Sequence, residues 1–257
     1  MNGTDPEITQ RLALGIDVGG SGVKGAIVDL STGQLASERF RLETPQPATP
    51  PAVTSTIAEV VRHFGWTGPV GVTYPGVVVN GVVQTAANVD SSWIGTNATE
   101  SISAALNGQK VTVLNDADAA GLAEQHYGAG RNHNGVIVLL TFGTGIGSAV
   151  IHDGKLLPNT EFGHIEVGGK EAEHRAASSV KERKEWSYHR WCRGGHQGSH
   201  RYRERDLARP VHRRWRYQQE RRQVDSVVEE PHPVVAAVLL NSAGIVGAAM
   251  ASQPDLS

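Results

Sequence analysis

The residues best suited to chemistry are Asn115 and Asp116, which follow the apolar run 111–114. The run predicts a short buried strand, and the pattern after it predicts a helix that continues to Gly128. A carboxylate at a helix N-terminus lies in a positive field and stays ionised, which suits a general base acting on a hydroxyl group. The alternative is that Asp116 only caps the helix, and this stretch by itself favours the cap.

Two glycine-rich turns form a second candidate site. Residues 12–29 have the pattern strand, glycine turn, strand, and residues 136–151 repeat it. Because backbone N–H groups of a glycine turn can approach an anion closely, each turn is a candidate phosphate-binding loop, although a lone turn of this kind is more often a simple hairpin. The repeat predicts two halves of related topology, with the turns facing each other across a cleft.

Asp17 stands at the end of the first strand of the first hairpin. In that position it would hold a magnesium ion through water, as phosphoryl transfer usually requires. A turn-stabilising aspartate explains the same pattern equally well. The loop itself is neither a dinucleotide-binding loop nor a Walker loop, since a strand follows the glycines and the Gly-Lys-Ser/Thr sequence is missing.

Length and composition are those of an ordinary globular protein. The 257 residues, of which 39% are hydrophobic, can bury one large core or two modest ones. A single cysteine, Cys192, excludes an intramolecular disulfide framework and a zinc site made of several cysteines. The start has no basic and apolar leader and no apolar run reaches eighteen residues, so we expect a cytoplasmic protein with no membrane partner.

Five motifs taken together resemble the ROK family of sugar kinases, and within it the members that use polyphosphate. They are Asp17-Val-Gly-Gly-Ser21, Tyr74-Pro-Gly76, Asn115-Asp116-Ala117, Gly143-Thr-Gly-Ile-Gly147 and Glu161-Phe-Gly-His164. The resemblance implies an actin-like (ribonuclease H-like) ATPase fold of two α/β domains with a cleft between them. The expected domains are residues 1–115, joined by a returning helix at 242–252, and residues 116–241.

The resemblance also implies an activity, the phosphorylation of glucose or mannose at the 6-hydroxyl, with polyphosphate or ATP as donor and Mg²⁺ as cofactor. Asp116 would be the base, and Asn115 would bind a neighbouring hydroxyl. Glu161 and His164 would grip the sugar ring, and their spacing of three would put both on one side of a helical turn. Without the resemblance, His164 would be read as a structural histidine. Further sugar-binding candidates are Gly76, Asn88 and Glu173. The phosphate-binding candidates are Gly19, Gly20, Ser21, Lys24, Gly143, Thr144 and Gly145, and Asp17 is the candidate magnesium residue.

Two departures from the family matter. Many members carry a cysteine-rich zinc motif after the Gly-His pair, whereas residues 168–175 here contain no cysteine, so no zinc is expected. The repressors of the family begin with a DNA-binding domain, and the eleven residues before the first strand are too few for one, so we expect no nucleic-acid partner. The remaining alternative function is a non-catalytic, sugar-responsive regulatory protein. The resemblance further implies a homodimer.

Residues 192–232 break every pattern in the chain. Ten arginines against three acidic residues give positions 192–223 a charge of +7, in a chain whose net charge is -2. The composition is that of a disordered basic arm, and arginines could bind polyphosphate. Read one nucleotide later, however, the codons permit an amphipathic helix and then a buried strand that ends in a glycine-rich turn. We therefore hypothesise that residues 192–232 are out of frame, which an intact mass matching the printed sequence would contradict.

Overall fold

The computed structural model describes residues 12–86, 89–187, 190–191, 211–214 and 234–253. It divides into two compact units, Met1–Ala123 with Ser242–Ser257, and Glu124–Asn241. The boundary between them falls inside the helix that begins at Asp116, whereas the sequence analysis placed it at the start of that helix. No helix within the described ranges is long and apolar enough to cross a membrane.

The first unit is built on a mixed sheet. Its strands are β1 (Leu12–Gly19), β2 (Gly22–Asp29), β3 (Gln34–Leu35), β4 (Phe40–Leu42), β5 (Val70–Tyr74) and β8 (Val111–Asn115), and a separate pair consists of β6 (Val78–Val79) and β7 (Val82–Val83). The order in the sheet is β3-β2-β1-β5-β8, with β4 also paired to β2. Strands β1 and β2 are antiparallel, while β5 pairs with β1 and β8 in parallel. The predicted first glycine hairpin is therefore confirmed.

Helices cover both faces of this sheet because strand side chains alternate between them. Leu14 and Ile16 of β1 belong to a core with Ile57 of helix α1 (Pro50–His63) and Ile102 of helix α2 (Ala98–Ala105). Gly15, which lies between these two residues on β1, faces the opposite side of the sheet. Its partner on β5, Gly71, faces the same way. That side is covered by the C-terminal helix, here called α6 (Ala243–Ala251).

Helix α6 lies unusually close to the sheet. Every one of its residues is buried. A Cβ atom added at Gly15 would overlap the carbonyl oxygen of Ile245, and one added at Gly71 would overlap that of Ala248. Glycine at both positions is therefore a requirement of packing, because neither backbone oxygen can move without displacing the helix.

The second unit contains a second sheet in the order β11-β10-β9-β12-β13. Strands β9 (Val136–Phe142) and β10 (Ile146–His152) form the second predicted glycine hairpin, which the antiparallel register confirms. The remaining elements are α3 (Asp116–Tyr127, shared by both units), β11 (Lys155–Leu157), α4 (Glu173–Ala176), α5 (Ser178–Arg183), β12 (Val211–Arg214), β13 (Val235–Ala236) and short 3₁₀ turns at Ser91–Trp93, Phe162–His164 and Leu240–Ser242.

A buried carboxylate ties the returning chain to helix α3. Glu124 is only 4% exposed, and its side chain accepts hydrogen bonds from the backbone N–H groups of Ala129, Val238 and Leu239 at 2.9, 3.1 and 2.7 Å. Three donors compensate for the removal of the carboxylate from water. Glu124 thus fixes the path of residues 238–239, which lead towards α6.

Strand β12 has an unusual sequence for its position. It lies between β9 and β13 and pairs with both in parallel. Strands inside a parallel arrangement are ordinarily apolar, yet the printed residues are Val-His-Arg-Arg. The out-of-frame reading places Phe-Ile-Ala-Gly at the same four positions, which fits the observed strand. The rest of the segment 192–232 lies outside the described residues.

We predict that Gly71→Ala destabilises the fold by at least about 2 kcal/mol, because the new methyl group meets a helix backbone that has no room to give. Denaturant unfolding of both proteins measures the difference. Gly68→Ala is the matched control, since its Cβ would lie 3.2 Å from the Trp66 side chain rather than inside a backbone atom. Equal stability of the Gly71 variant and the wild type would contradict the close packing of α6.

Candidate active site

Asn115 and Asp116 lie where β8 ends and α3 begins. The Asn115 side-chain oxygen accepts hydrogen bonds from the N–H groups of Ala117 and Asp118 at 2.8 and 3.1 Å. These are the bonds of a helix N-cap, so the cap is Asn115 and not Asp116. Asp116 is exposed at the first position of the helix, where its carboxylate also accepts from the Ala117 N–H at 2.8 Å.

The amide nitrogen of Asn115 connects this strand end to the loop that follows β5. It donates to the Gly76 carbonyl oxygen at 3.1 Å. A side chain at Gly76 would bring a Cβ atom within 2.6 Å of the Thr85 carbonyl oxygen, so the loop needs glycine there. Gly76 is thereby placed beside Asn115, and its role in sugar binding stays a prediction. Asn88, the other candidate of that loop, lies outside the described residues.

Asp17 is held by two neighbours in the first unit. The Thr73 hydroxyl on β5 donates to Asp17 Oδ1 at 2.9 Å and accepts from the Val18 N–H at 3.1 Å. Lys24 faces Asp17 across the β1–β2 pair, with its Nζ 3.7 Å from Asp17 Oδ2. The sequence analysis did not identify Thr73, whose role depends on the parallel register of β1 and β5.

The first glycine turn is short, and the side chain of an arginine on another strand reaches it. Gly19 pairs with Gly22, which leaves Gly20 and Ser21 exposed at the tip. Arg41 of β4 donates to the Ser21 carbonyl oxygen at 2.6 Å. A Cβ at Gly22 would lie 2.6 Å from Arg41 Nε, so the glycine admits the guanidinium. Arg41 was missed by the sequence analysis because only the pairing of β4 with β2 brings it to the turn.

The second glycine turn is fastened to helix α5. The Ser179 hydroxyl donates to the Thr144 carbonyl oxygen at 2.7 Å, and the Ser179 N–H donates to the Gly143 carbonyl oxygen at 3.2 Å. Glu173 approaches the other side of the turn, where its Oε2 accepts from the Ile146 N–H at 3.3 Å. A Cβ at Gly145 would lie 2.5 Å from the same oxygen. The turn is thus held in one conformation, with Thr144 exposed.

Glu161 and His164 are brought together as their spacing predicted. Glu161 precedes the 3₁₀ turn Phe162–His164, and its Oε2 lies 3.7 Å from His164 Nε2. Burial raises the pKa of Glu161, an effect that the positive charge of His164 opposes and the nearby Glu173 carboxylate reinforces. Ser148 anchors the turn, since its hydroxyl oxygen accepts from the Phe162 N–H at 3.0 Å.

A carboxylate that the sequence analysis did not identify stands on the other side of His164. The Oε2 atom of Glu171 lies 3.4 Å from His164 Nδ1. His164, Glu171 and Glu173 offer ligand atoms that all lie within 4.8 Å of one another, a spacing compatible with a metal ion. The candidate sugar residues Glu161, His164 and Glu173 therefore form one cluster in the second unit.

Comparison with known proteins identifies relatives along the whole chain. The model of the ROK family matches residues 13–198. The chain is 59% identical to polyphosphate glucokinase of Mycobacterium tuberculosis, over 99% of each chain, and 61% identical to that of Mycobacterium leprae, over 97% of this chain and 77% of the other. Inorganic polyphosphate/ATP-glucomannokinase from Arthrobacter sp. strain KM superposes with a TM-score of 0.88 and 43% identity, over 94% of this chain and 98% of the other. These matches confirm the predicted actin-like α/β fold.

The comparisons also bear on the segment 192–232. The family match ends at residue 198, shortly after that segment begins. The alignment with the Mycobacterium tuberculosis protein extends over 282 positions, more than the 257 residues of the chain, so it contains gaps. The early end of the family match is expected of a segment that is out of frame.

We predict that Glu161→Gln raises the melting temperature at pH 7.5 by a few degrees at most. The raised pKa means that the folded chain binds the Glu161 proton more tightly than the unfolded chain does. The stability that this tighter binding contributes is fully present at pH values below the pKa of Glu161 in the unfolded chain. It is lost as the pH rises through the pKa of Glu161 in the folded chain. Above the raised folded pKa the half-buried carboxylate is ionised at a cost in stability, and glutamine removes that cost.

The advantage of Glu161→Gln should shrink as the pH falls towards 4, because the wild-type carboxyl then becomes protonated as well. Thermal unfolding at several pH values measures this. Glu59→Gln, on the exposed side of α1, is the matched control and should show no such dependence on pH. A variant whose advantage stays constant with pH would contradict the assignment to Glu161.

Proposed function

This chain belongs to the ROK family, and we propose that it transfers the terminal phosphoryl group of inorganic polyphosphate to the 6-hydroxyl of glucose. Its 59% identity to a polyphosphate glucokinase over 99% of both chains supports the substrates. The same relationship favours an enzyme over a sugar-responsive regulator. The structural observation that carries the mechanism is the cap by Asn115, which leaves the capping of α3 independent of Asp116.

Asp116 is the general base of the proposed reaction. Its carboxylate is exposed at the N-terminus of α3, where the field of the helix favours the ionised form. It takes the proton of the sugar hydroxyl as the oxygen attacks the terminal phosphorus. The bond from that phosphorus to the bridging oxygen breaks, and a polyphosphate shorter by one unit leaves. General base catalysis of this kind contributes about 10²- to 10⁴-fold in rate.

The remaining sugar contacts are assigned to groups with matching chemistry. The Asn115 amide has one N–H beyond the bond to Gly76, and this donor suits a neighbouring hydroxyl. Glu161 and Glu173 accept from hydroxyl groups, and His164 can donate or accept. Gly76 and Asn88 are proposed as further sugar contacts. Mannose differs from glucose at one hydroxyl and is proposed as a second acceptor, in view of the 43% identity to a glucomannokinase.

The donor phosphates are assigned to the two glycine turns. Gly19, Gly20 and Ser21 offer backbone N–H groups in the first unit, next to the cations Lys24 and Arg41. Gly143, Thr144 and Gly145 form the equivalent turn in the second unit. The Gly143 N–H donates to the Gly145 carbonyl oxygen at 2.9 Å and shapes the turn, so Thr144 and Gly145 are the proposed donors. Backbone donors and cations contact only the phosphates, so they bind a phosphate chain whether or not it carries a nucleoside. ATP is therefore proposed as a second donor beside polyphosphate.

Asp17 is the residue proposed to hold Mg²⁺. Its oxygens are of the type that Mg²⁺ prefers, its side chain is 22% exposed, and Thr73 fixes Oδ1. The residues therefore fit an ion that is bound through water. When bound, the ion neutralises charge on the transferring phosphoryl group. Lys24, 3.7 Å from Oδ2, keeps the second oxygen in place.

We predict that Asp116→Asn lowers kcat about 10²- to 10⁴-fold with polyphosphate and with ATP, while glucose binding is retained. The loss is the same for both donors because the base acts on the acceptor. Coupled assays of glucose 6-phosphate measure turnover, and calorimetry measures glucose binding. Phosphorylation at the wild-type rate would refute the base assignment. A wild-type protein that binds glucose but turns over neither donor would favour the regulatory function instead.

A further inference from the structure

The loop that follows His164 folds back on itself. The Val167 N–H donates to the Lys170 carbonyl oxygen at 2.8 Å, and the Ala172 N–H donates to that of Ile165 at 2.9 Å. Gly168 and Gly169 form the tip with φ angles of 59° and 78°, a region that favours glycine. The reversal brings residue 171 back beside His164, seven positions earlier in the chain.

Helix α4 fastens this loop. Arg175 donates from Nη1 to the Val167 carbonyl oxygen at 2.6 Å. A side chain at Gly168 would overlap the same guanidinium nitrogen. Besides its positive φ angle, this position therefore needs glycine because the Arg175 side chain lies against it. The loop therefore has a defined conformation that rests on backbone hydrogen bonds and one arginine.

The fold of the loop places Glu171 against the imidazole of His164. Glu171 Oε2 lies 3.4 Å from His164 Nδ1, and on the opposite edge of the ring Glu161 Oε2 lies 3.7 Å from Nε2. The same Glu171 oxygen is 3.6 Å from Nδ1 of His174, which is the other imidazole facing it among the described residues. A carboxylate therefore lies beside each nitrogen of the imidazole ring.

We propose that Glu171 is a positioning residue, which holds the Nδ1 side of His164 so that Nε2 is presented beside Glu161 to the acceptor sugar. The proposal rests on the proposed function of His164 as a sugar-binding residue. Because a carboxylate lies at each ring nitrogen, neither tautomer is selected, and what Glu171 supplies is a contact at the Nδ1 edge of the ring. This contact restricts rotation of the ring, so the orientation is established before the sugar binds.

Loss of the contact between Glu171 and His164 should weaken binding of the sugar and leave binding of the phosphoryl donor unchanged. One oriented hydrogen bond is worth about 3- to 10-fold in affinity. Glu171→Gln keeps the size of the side chain but removes the charge, so the loop is retained while the attraction to the Nδ1 edge of His164 is weakened. The KM for glucose should rise about 3- to 10-fold. The kcat and the KM for polyphosphate should stay within about twofold.

The matched control is Glu166→Gln. Glu166 is exposed and bridges Glu171 through the backbone, so it shares the loop and the loss of charge without facing His164. Nitrogen-15 NMR of histidine-labelled protein, with the His164 signal assigned from His164→Gln, gives a second measurement. The His164 ring shifts should change in Glu171→Gln and stay as in the wild type in Glu166→Gln.

Three outcomes would overturn the proposal. The first is an unchanged KM for glucose with unchanged His164 shifts. The second is an equal loss for both substrates in Glu171→Gln and Glu166→Gln, which indicates general disturbance of the loop. The third is one equivalent of tightly bound metal that Glu171→Gln loses, because Glu171 would then be a metal ligand with His164 and Glu173. Failure of the proposed function is distinct, since it leaves the wild type itself without turnover.

Discussion

The side chain of Asn115 satisfies backbone groups of two separate segments at once, and the arrangement of the first candidate site depends on it. Its oxygen caps helix α3 and its nitrogen holds the loop at Gly76. The residue is 6% exposed, so these bonds are made where water does not compete with them. With the strand end, the helix start and the loop fixed by one amide, Asp116 keeps a constant position at the surface.

Much of the fold follows from local sequence signals. Both glycine hairpins and the strand and helix around Asp116 were predictable, because their apolar periodicity and turn residues are contained in short windows. The pair Glu161 and His164 was predictable from its spacing. The identity of the cap was harder, since Asn and Asp cap equally well. Pairing of Asn115 with Tyr74 in the sheet decides it, because it keeps Asn115 extended.

The residues that sequence reasoning missed share a physical reason. Arg41 reaches its turn through the pairing of β4 with β2, and Thr73 reaches Asp17 through the parallel pairing of β5 with β1. Glu171 reaches His164 through a reversal of the loop. Each contact depends on segments that are distant in the chain or on a turn that the pattern does not specify. Strand β12 illustrates the opposite case, where the fold indicates an apolar strand that the printed residues do not supply.

The packing of α6 on Gly15 and Gly71 sets an order of events during synthesis. The strands that it covers, β1 and β5, lie in the first third of the chain, whereas α6 ends at Ala251 of 257 residues. While the ribosome makes the second unit, one face of the first sheet is not yet covered by α6 and stays exposed to water and to chaperones. The first unit thus completes its core only after the second unit has been made, and a chain that stops before α6 leaves a sheet that has no cover on that face.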